Sequence, residues 1–235
     1  MSLKPIILTL PGRFSSGPDH WQSIWEAQRP DCSRIELGMW DSPQRNGWVN
    51  NINHAVRRYE RPVFIAAHGL ACIALAWWAA LENPRWQEWI VGALLVAPTE
   101  APIGSDLESF GPTPRVLLPF PSILVASQND PKVPFDRAQQ LSRSWGSEFV
   151  SAGEAGHINA CSNLGSWDFG QTLLSSLLQK RLVPTRSSAS RKVHLCLTDC
   201  KVCRHPAFGP AMIIIAPHCS GEVVGGSRYL PAKQS

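Results

Sequence analysis

No stretch of this sequence stays apolar for the ~20 residues that a bilayer span requires; the longest apolar run, Leu70 to Leu81, falls well short. Charge is sparse, at 17% of residues, while 44% are apolar, which excludes a disordered or coiled-coil chain. The 7 cysteines are odd in number and unevenly placed, so no disulfide framework is expected. Met1 to Leu10 carries one lysine and a short apolar stretch ending in Pro11-Gly12. It reads as a first strand and not as a secretory leader. The expected setting is the reducing cytoplasm, with no membrane partner. What is present is bulk for a packed interior: 10 tryptophans in 235 residues, enough for one sizeable core plus an appendage.

The net charge of +4 conceals two different parts. Residues 1–179 hold 13 Lys+Arg and 16 Asp+Glu, a net of −3, while residues 180–235 hold 9 and 2, a net of +7. Every tryptophan lies in the first part, and Cys196, Cys200, Cys203 and Cys219 lie in the second. We therefore expect a domain over residues 1–180 and a basic, weakly ordered appendage over 181–235, of the kind a shifted reading frame would produce. His194, Cys196, Cys200, Cys203, His205, His218 and Cys219 invite a zinc reading, but only Cys200-Lys201-Val202-Cys203 has knuckle spacing. No metal is expected. With Phe208 and Tyr229 as its aromatic residues beyond Trp167, the tail predicts no nucleic-acid partner either.

In the first part, strand-like and helix-like segments alternate. Strands are expected at Pro5–Leu10, Ser33–Leu37, Pro62–Ala67, Trp89–Ala97, Pro121–Ser127 and Glu148–Ser151. Helices are expected from Pro18-Asp19 to Gln28, from Ser42-Pro43 to Tyr59, and at Leu70–Leu81, Phe135–Trp145 and Trp167–Gln179. The pattern implies an α/β fold, a three-layer α/β/α sandwich with a mostly parallel sheet and no cap domain. Sites in such sheets lie at the carboxyl ends of the strands.

Three strand ends carry candidate chemistry. Ala67-His68-Gly69-Leu70-Ala71 runs from a strand straight into a buried helix, the context of a nucleophile elbow. Serine is expected at its centre; this chain has Gly69. After the fifth strand, Gln128-Asn129-Asp130-Pro131 offers a carboxylate fit to orient a histidine, with Asp136 as a rival acid. After the sixth, the glycine-containing loop Gly153 to Asn159 presents His157, suited to a general base. The order elbow, acid, histidine is that of α/β-hydrolases.

Over roughly residues 5 to 180 the chain closely resembles the small serine hydrolases of the YdeN and retinoblastoma-binding-protein-9-like family. The resemblance rests on Leu10-Pro11-Gly12 with Ser16-Gly17-Pro18-Asp19-His20-Trp21-Gln22, and on Trp40-Asp41-Ser42-Pro43. It also rests on Ala67-His68, Leu95-Val96-Ala97-Pro98, Pro119-Phe120-Pro121-Ser122, Asn129-Asp130-Pro131 and Gly153 to Ala160. Where the family pattern resembles Ala-His-Ser-Leu-Gly, this chain departs twice, with Gly69 and Ala71.

The resemblance implies Asp130 and His157 as triad acid and base, Gly69 at the nucleophile position, and no cofactor. It implies oxyanion donors from the Leu70 amide and the Gly12-Arg13 loop. The implied substrate is a small ester or amide. Loss of the nucleophile costs about 10⁶ in turnover in triad hydrolases. The expectation is an impaired hydrolase; the alternative is a pseudoenzyme binding a small acyl ligand or a protein partner in the same cleft. Of the neighbours, His68 and Cys72 are expected to face packing, and Ser15 and Ser16 have no motif behind them as substitute nucleophiles. Trp21 and Trp40 are candidates for lining a pocket.

Overall fold

A computed structural model describes residues 4–59, 61–82 and 89–182. They fall within residues 1–186, the first of two units into which the chain divides. The expectations for the basic tail, its cysteines and histidines included, lie outside the described residues.

Six strands form one sheet: β1 (Ile6–Leu10), β2 (Cys32–Arg34), β3 (Val63–His68), β4 (Ile90–Val96), β5 (Ser122–Ala126) and β6 (Glu148–Ser151). Their order is β2-β1-β3-β4-β5-β6, and every neighbouring pair is parallel. Parallel neighbours need crossovers. Among the described residues, five α-helices supply the cover: α1 (Trp21–Gln28), α2 (Arg45–Tyr59), α3 (Leu70–Leu81), α4 (Phe135–Trp145) and α5 (Asp168–Leu182).

Alternation along the strands sorts the core onto two faces. Ile6, Leu8 and Leu10 of β1, with Ile65, Ala67, Ala93 and Leu95, pack beneath α2, α3 and α4. Ile7, Phe64, Ala66, Leu94 and Val96 pack on the other face against Trp21 and Trp25 of α1 and Leu174 and Leu177 of α5. Each fully buried Leu, Ile, Val or Phe among these contributes roughly 1.5–3 kcal/mol. With both faces covered, the inner strands β1, β3, β4 and β5 are largely apolar and buried throughout.

Three expected boundaries move. The first helix begins at Trp21, not Pro18-Asp19, because the His20 ring accepts the Gln22 amide at 3.2 Å and acts as the cap. The second begins at Arg45, whose amide donates to Ser109 Oγ at 3.3 Å, a cap supplied from far along the chain. The second strand is Cys32–Arg34, paired to Ile7, Leu8 and Thr9. Ile35 and Leu37 are buried as the alternation requires, but beyond the ladder.

No described helix is long and apolar enough to cross a membrane. Thr9, a buried polar residue of β1, donates to Glu26 of α1, and Glu26 in turn pairs with Arg34 at 2.8 Å. Gln22 ties two strand ends together, donating to Leu10 O at 3.0 Å and Ala66 O at 2.9 Å. Those ends border the site.

Candidate active site at the strand ends

Gly69 sits at the turn from β3 into α3 with φ 58 and ψ −125. For any residue with a Cβ this is strained backbone, stored at about 1–3 kcal/mol; glycine adopts it freely. Its amide donates to Val96 O at 2.9 Å, which ties the turn to β4. The Leu70 amide, first in α3, has no intrahelical acceptor and points out of the helix N-terminus. Across from it, a Cβ at Gly12 would lie 3.1 Å from His68 O and 3.7 Å from Gly69 Cα. A Cβ there would have to push His68 O back by a few tenths of an ångström, so glycine favours this close approach of the β1 loop to the elbow. Arg13 follows, its guanidinium paired with Asp106 and donating to Asp41 O at 3.0 Å.

Asp130 and His157 come together. His157 Nδ1 donates to Asp130 Oδ2 at 2.8 Å and lies 3.0 Å from Oδ1. Asp130 is held in turn by the backbone, Oδ1 accepting from Lys132 N at 2.8 Å and Val133 N at 3.3 Å. The His157 loop is pinned by Asn129, whose Oδ1 accepts the Gly156 amide at 2.7 Å, and by Ser127 Oγ, which accepts from Ala155 N at 2.8 Å. With Nδ1 committed to the carboxylate, Nε2 is the free atom, and a Cβ at Gly69 would lie 3.9 Å from it. Asp136, the rival acid, is exposed in the first turn of α4.

His68 is buried as expected, but it does more than fill space. Its Nε2 donates to His157 O at 3.0 Å, and its ring stands edge-on between His157, at 5.0 Å, and His20, at 4.8 Å. His20 and His68 both line the cleft. Neither was assigned a role from sequence, since a histidine 48 residues from its ring neighbour carries no spacing signal. Cys72 faces packing, its Sγ within 3.4 Å of Ala67 O and 3.6 Å of Val96 O, with the thiol pushed up by burial. Ser16 donates to Gln22 Oε1 at 2.7 Å, and Ser15 borders the cleft with its Oγ facing the Arg34 guanidinium at 3.4 Å. Trp21 is core, and Trp40 packs edge-on to Trp48; neither lines the cleft, contrary to expectation.

The cleft is a cavity of about 520 Å³ bordered by Gly12, Arg13, Gly69, Leu70, Thr99 and His157 among others. Lys132 is exposed at its rim, and Glu100 on its wall is paired with both Arg115 and Arg137. Among the described residues, no group of three or more His, Cys, Asp or Glu side chains is arranged to hold a metal ion.

Burial keeps two of the three histidines neutral. His20 is pushed down to about 4, by burial first and then by Arg34 and His157. His68 lies well below the ordinary range, again by burial first and then by its histidine neighbours. Unfolded, both take a proton near pH 6.5, so below that pH the unfolded chain binds more protons. Stability is therefore lost as the pH falls from 6.5 toward about 4 for His20, and as it falls well below 6.5 for His68. We expect His20→Asn, which keeps a capping oxygen and removes the titration, to flatten the melting temperature against pH in this window. An unchanged slope would mean that His20 is not held neutral.

The sequence profile of a family described as serine hydrolase matches residues 7–176. Among solved structures, a protein described as a YdeN-like hydrolase from Pectobacterium atrosepticum is similar at 31% identity and a TM-score of 0.66, over 75% of this chain and 92% of that one. The ydeN gene product of B. subtilis is similar at 17% identity and a TM-score of 0.60, over 75% and 100%. A thermophilic esterase from Thermogutta terrifontis shares the fold, at 10% identity and a TM-score of 0.58, over 76% and 91%. No curated protein matches the chain.

Proposed function

The chain belongs to the serine hydrolase family, of YdeN-like α/β-hydrolase fold, and we propose that it carries the family's ester- and amide-binding cleft with the nucleophile missing. In this reading Asp130 orients His157, His157 is the base, and the Leu70 amide with the Gly12-Arg13 loop receives the oxyanion. Gly69 holds the nucleophile's position. One observation carries it: the missing Cβ of Gly69 faces the free Nε2 of His157 at 3.9 Å, where a hydroxyl would complete the relay. The hydrolase domain is residues 1–180, with 181–235 an appendage. The protein belongs in the reducing cytoplasm, a reading supported by Cys32, Cys72 and Cys161, all free thiols.

Without the oxygen that forms the acyl-enzyme, turnover is lower by about 10⁶. A fluorophosphonate probe, which needs an activated nucleophile, tests this. The unaltered chain is expected to remain unlabelled and Gly69→Ser to be labelled at 69. Labelling of the unaltered chain, at Ser15 for instance, would mean that another side chain has taken over and that the impairment does not exist. The second reading, a binding protein using the same cleft, is favoured by the 520 Å³ that stays open beside an intact Asp130–His157 pair.

A further inference from the structure

The space left by the absent hydroxyl is lined for an anion. The His157 side chain is 7% exposed, yet its Nε2 has no hydrogen-bond partner among the described residues and is aimed at the Gly69 position. Nothing approaches the missing Cβ more closely than Thr99 Oγ1, at 3.7 Å. The N-terminus of α3, a helix of 12 residues, opens into the same space with the Leu70 amide.

Charged and titratable groups from several elements surround His157. His20, ahead of α1, has Nδ1 occupied as an acceptor of the Gln22 amide and is held neutral by burial. His68, at the end of β3, donates to His157 O and is likewise held neutral. His157 alone of the three hydrogen-bonds a carboxylate, Asp130. Lys132 adds positive charge at the rim, Glu100 is neutralised by two arginines, and Asp106 is taken by Arg13.

We propose that the unaltered cleft is a receptor for a short monocarboxylate anion. One carboxylate oxygen takes the amides of Leu70 and the Gly12-Arg13 loop; the other occupies the vacant hydroxyl position and accepts from Nε2–H of a protonated His157. The hydrocarbon tail lies along Phe14, Leu70, Pro102, Leu107 and Ala160. The volume, about 520 Å³, is in the range of small-molecule sites, roughly 300–1,000 Å³. An ester draws less from this arrangement, since it carries no charge to match the imidazolium. The inference rests on the reading of the cleft given above.

Calorimetric titration of the full chain with sodium butyrate and with butyramide, from about pH 6.5 to 8, tests it. Butyrate is expected to bind about tenfold or more tighter than the neutral amide, the difference made by a charge-assisted hydrogen bond. Its affinity rises as the pH falls, with uptake of about one proton per butyrate read from buffers of different ionisation enthalpy. His157→Ala removes both the preference and the pH dependence; should that variant fail to fold, the amide comparison in the unaltered chain still decides. Equal binding of the two compounds, or butyrate binding without proton uptake, overturns the proposal. No butyrate binding, with esterase activity gained by Gly69→Ser, overturns it and leaves the hydrolase reading standing. No binding and no gained activity overturns both.

Discussion

Gly69→Ser is expected to raise hydrolysis of p-nitrophenyl acetate by about 10³-fold or more over the unaltered chain, part of the roughly 10⁶ that a missing nucleophile costs. The parts such a serine needs are already within reach. Its Cβ would meet nothing closer than 3.7 Å, and His157 Nε2 stands 3.9 Å away, so the added oxygen can reach hydrogen-bond range, about 2.6–3.2 Å. Asp130 already holds Nδ1, leaving the Nε2 lone pair to take the serine proton. Two costs limit the gain. Serine at φ 58 stores about 1–3 kcal/mol that glycine avoids, so the melting temperature falls by several degrees. Ala71, fully buried where the family resemblance has glycine, adds a methyl beneath the turn. A folded Gly69→Ser protein as inactive as its parent would show that the cleft has lost more than an oxygen.

In that same background, Asp130→Asn is expected to return turnover close to that of the unaltered chain while leaving the fold intact, since the same change costs about 10⁴ in a complete triad. The asymmetry of the carboxylate explains both halves. Oδ1 accepts the Lys132 and Val133 amides, a duty the amide oxygen of asparagine can keep. Oδ2 then becomes an NH₂ group facing His157 Nδ1 at 2.8 Å. Two donors cannot share that contact, so the ring must carry its proton on Nε2, where it can no longer accept one from a hydroxyl. A steady-state assay beside a melting curve checks it. A loss of less than about tenfold at unchanged stability would mean that the carboxylate's charge and tautomer control are unimportant here.

Elements whose limits are set by their own residues were legible in the sequence. Leu70–Leu81, Phe135–Trp145 and Glu148–Ser151 stand where the apolar pattern and the flanking glycines put them. Limits set by distant partners were not. The start of α2 depends on Ser109, 64 residues away, and the end of β2 on where β1 stops offering backbone partners. In the cleft, Asp130 and His157 were readable because each follows a strand, Asp130 just ahead of Pro131 and His157 just after Gly156. The contacts that hold them were not, since Asn129, Ser127 and His68 act through backbone bonds that leave no periodic trace. His20 escaped notice as a cap because histidine is seldom chosen for that place.

The burial of α3 on nearly every side has a consequence for how the chain is made. A helix of this composition has no face that water tolerates; its cover comes from α2 and β3, which precede it, and from the turn at Glu108–Phe110, where Trp77 Nε1 donates to Phe110 O at 2.8 Å. During synthesis it emerges before β4, so for a time β1 and β3 can pair while Leu70–Leu81 lacks part of its roof. Parallel strands closed through long crossovers assemble slowly, and apolar surface left waiting is where chains associate with one another. The segment that anchors the elbow in the finished protein is thus a hazard on the ribosome until residues 108–110 arrive to complete its cover.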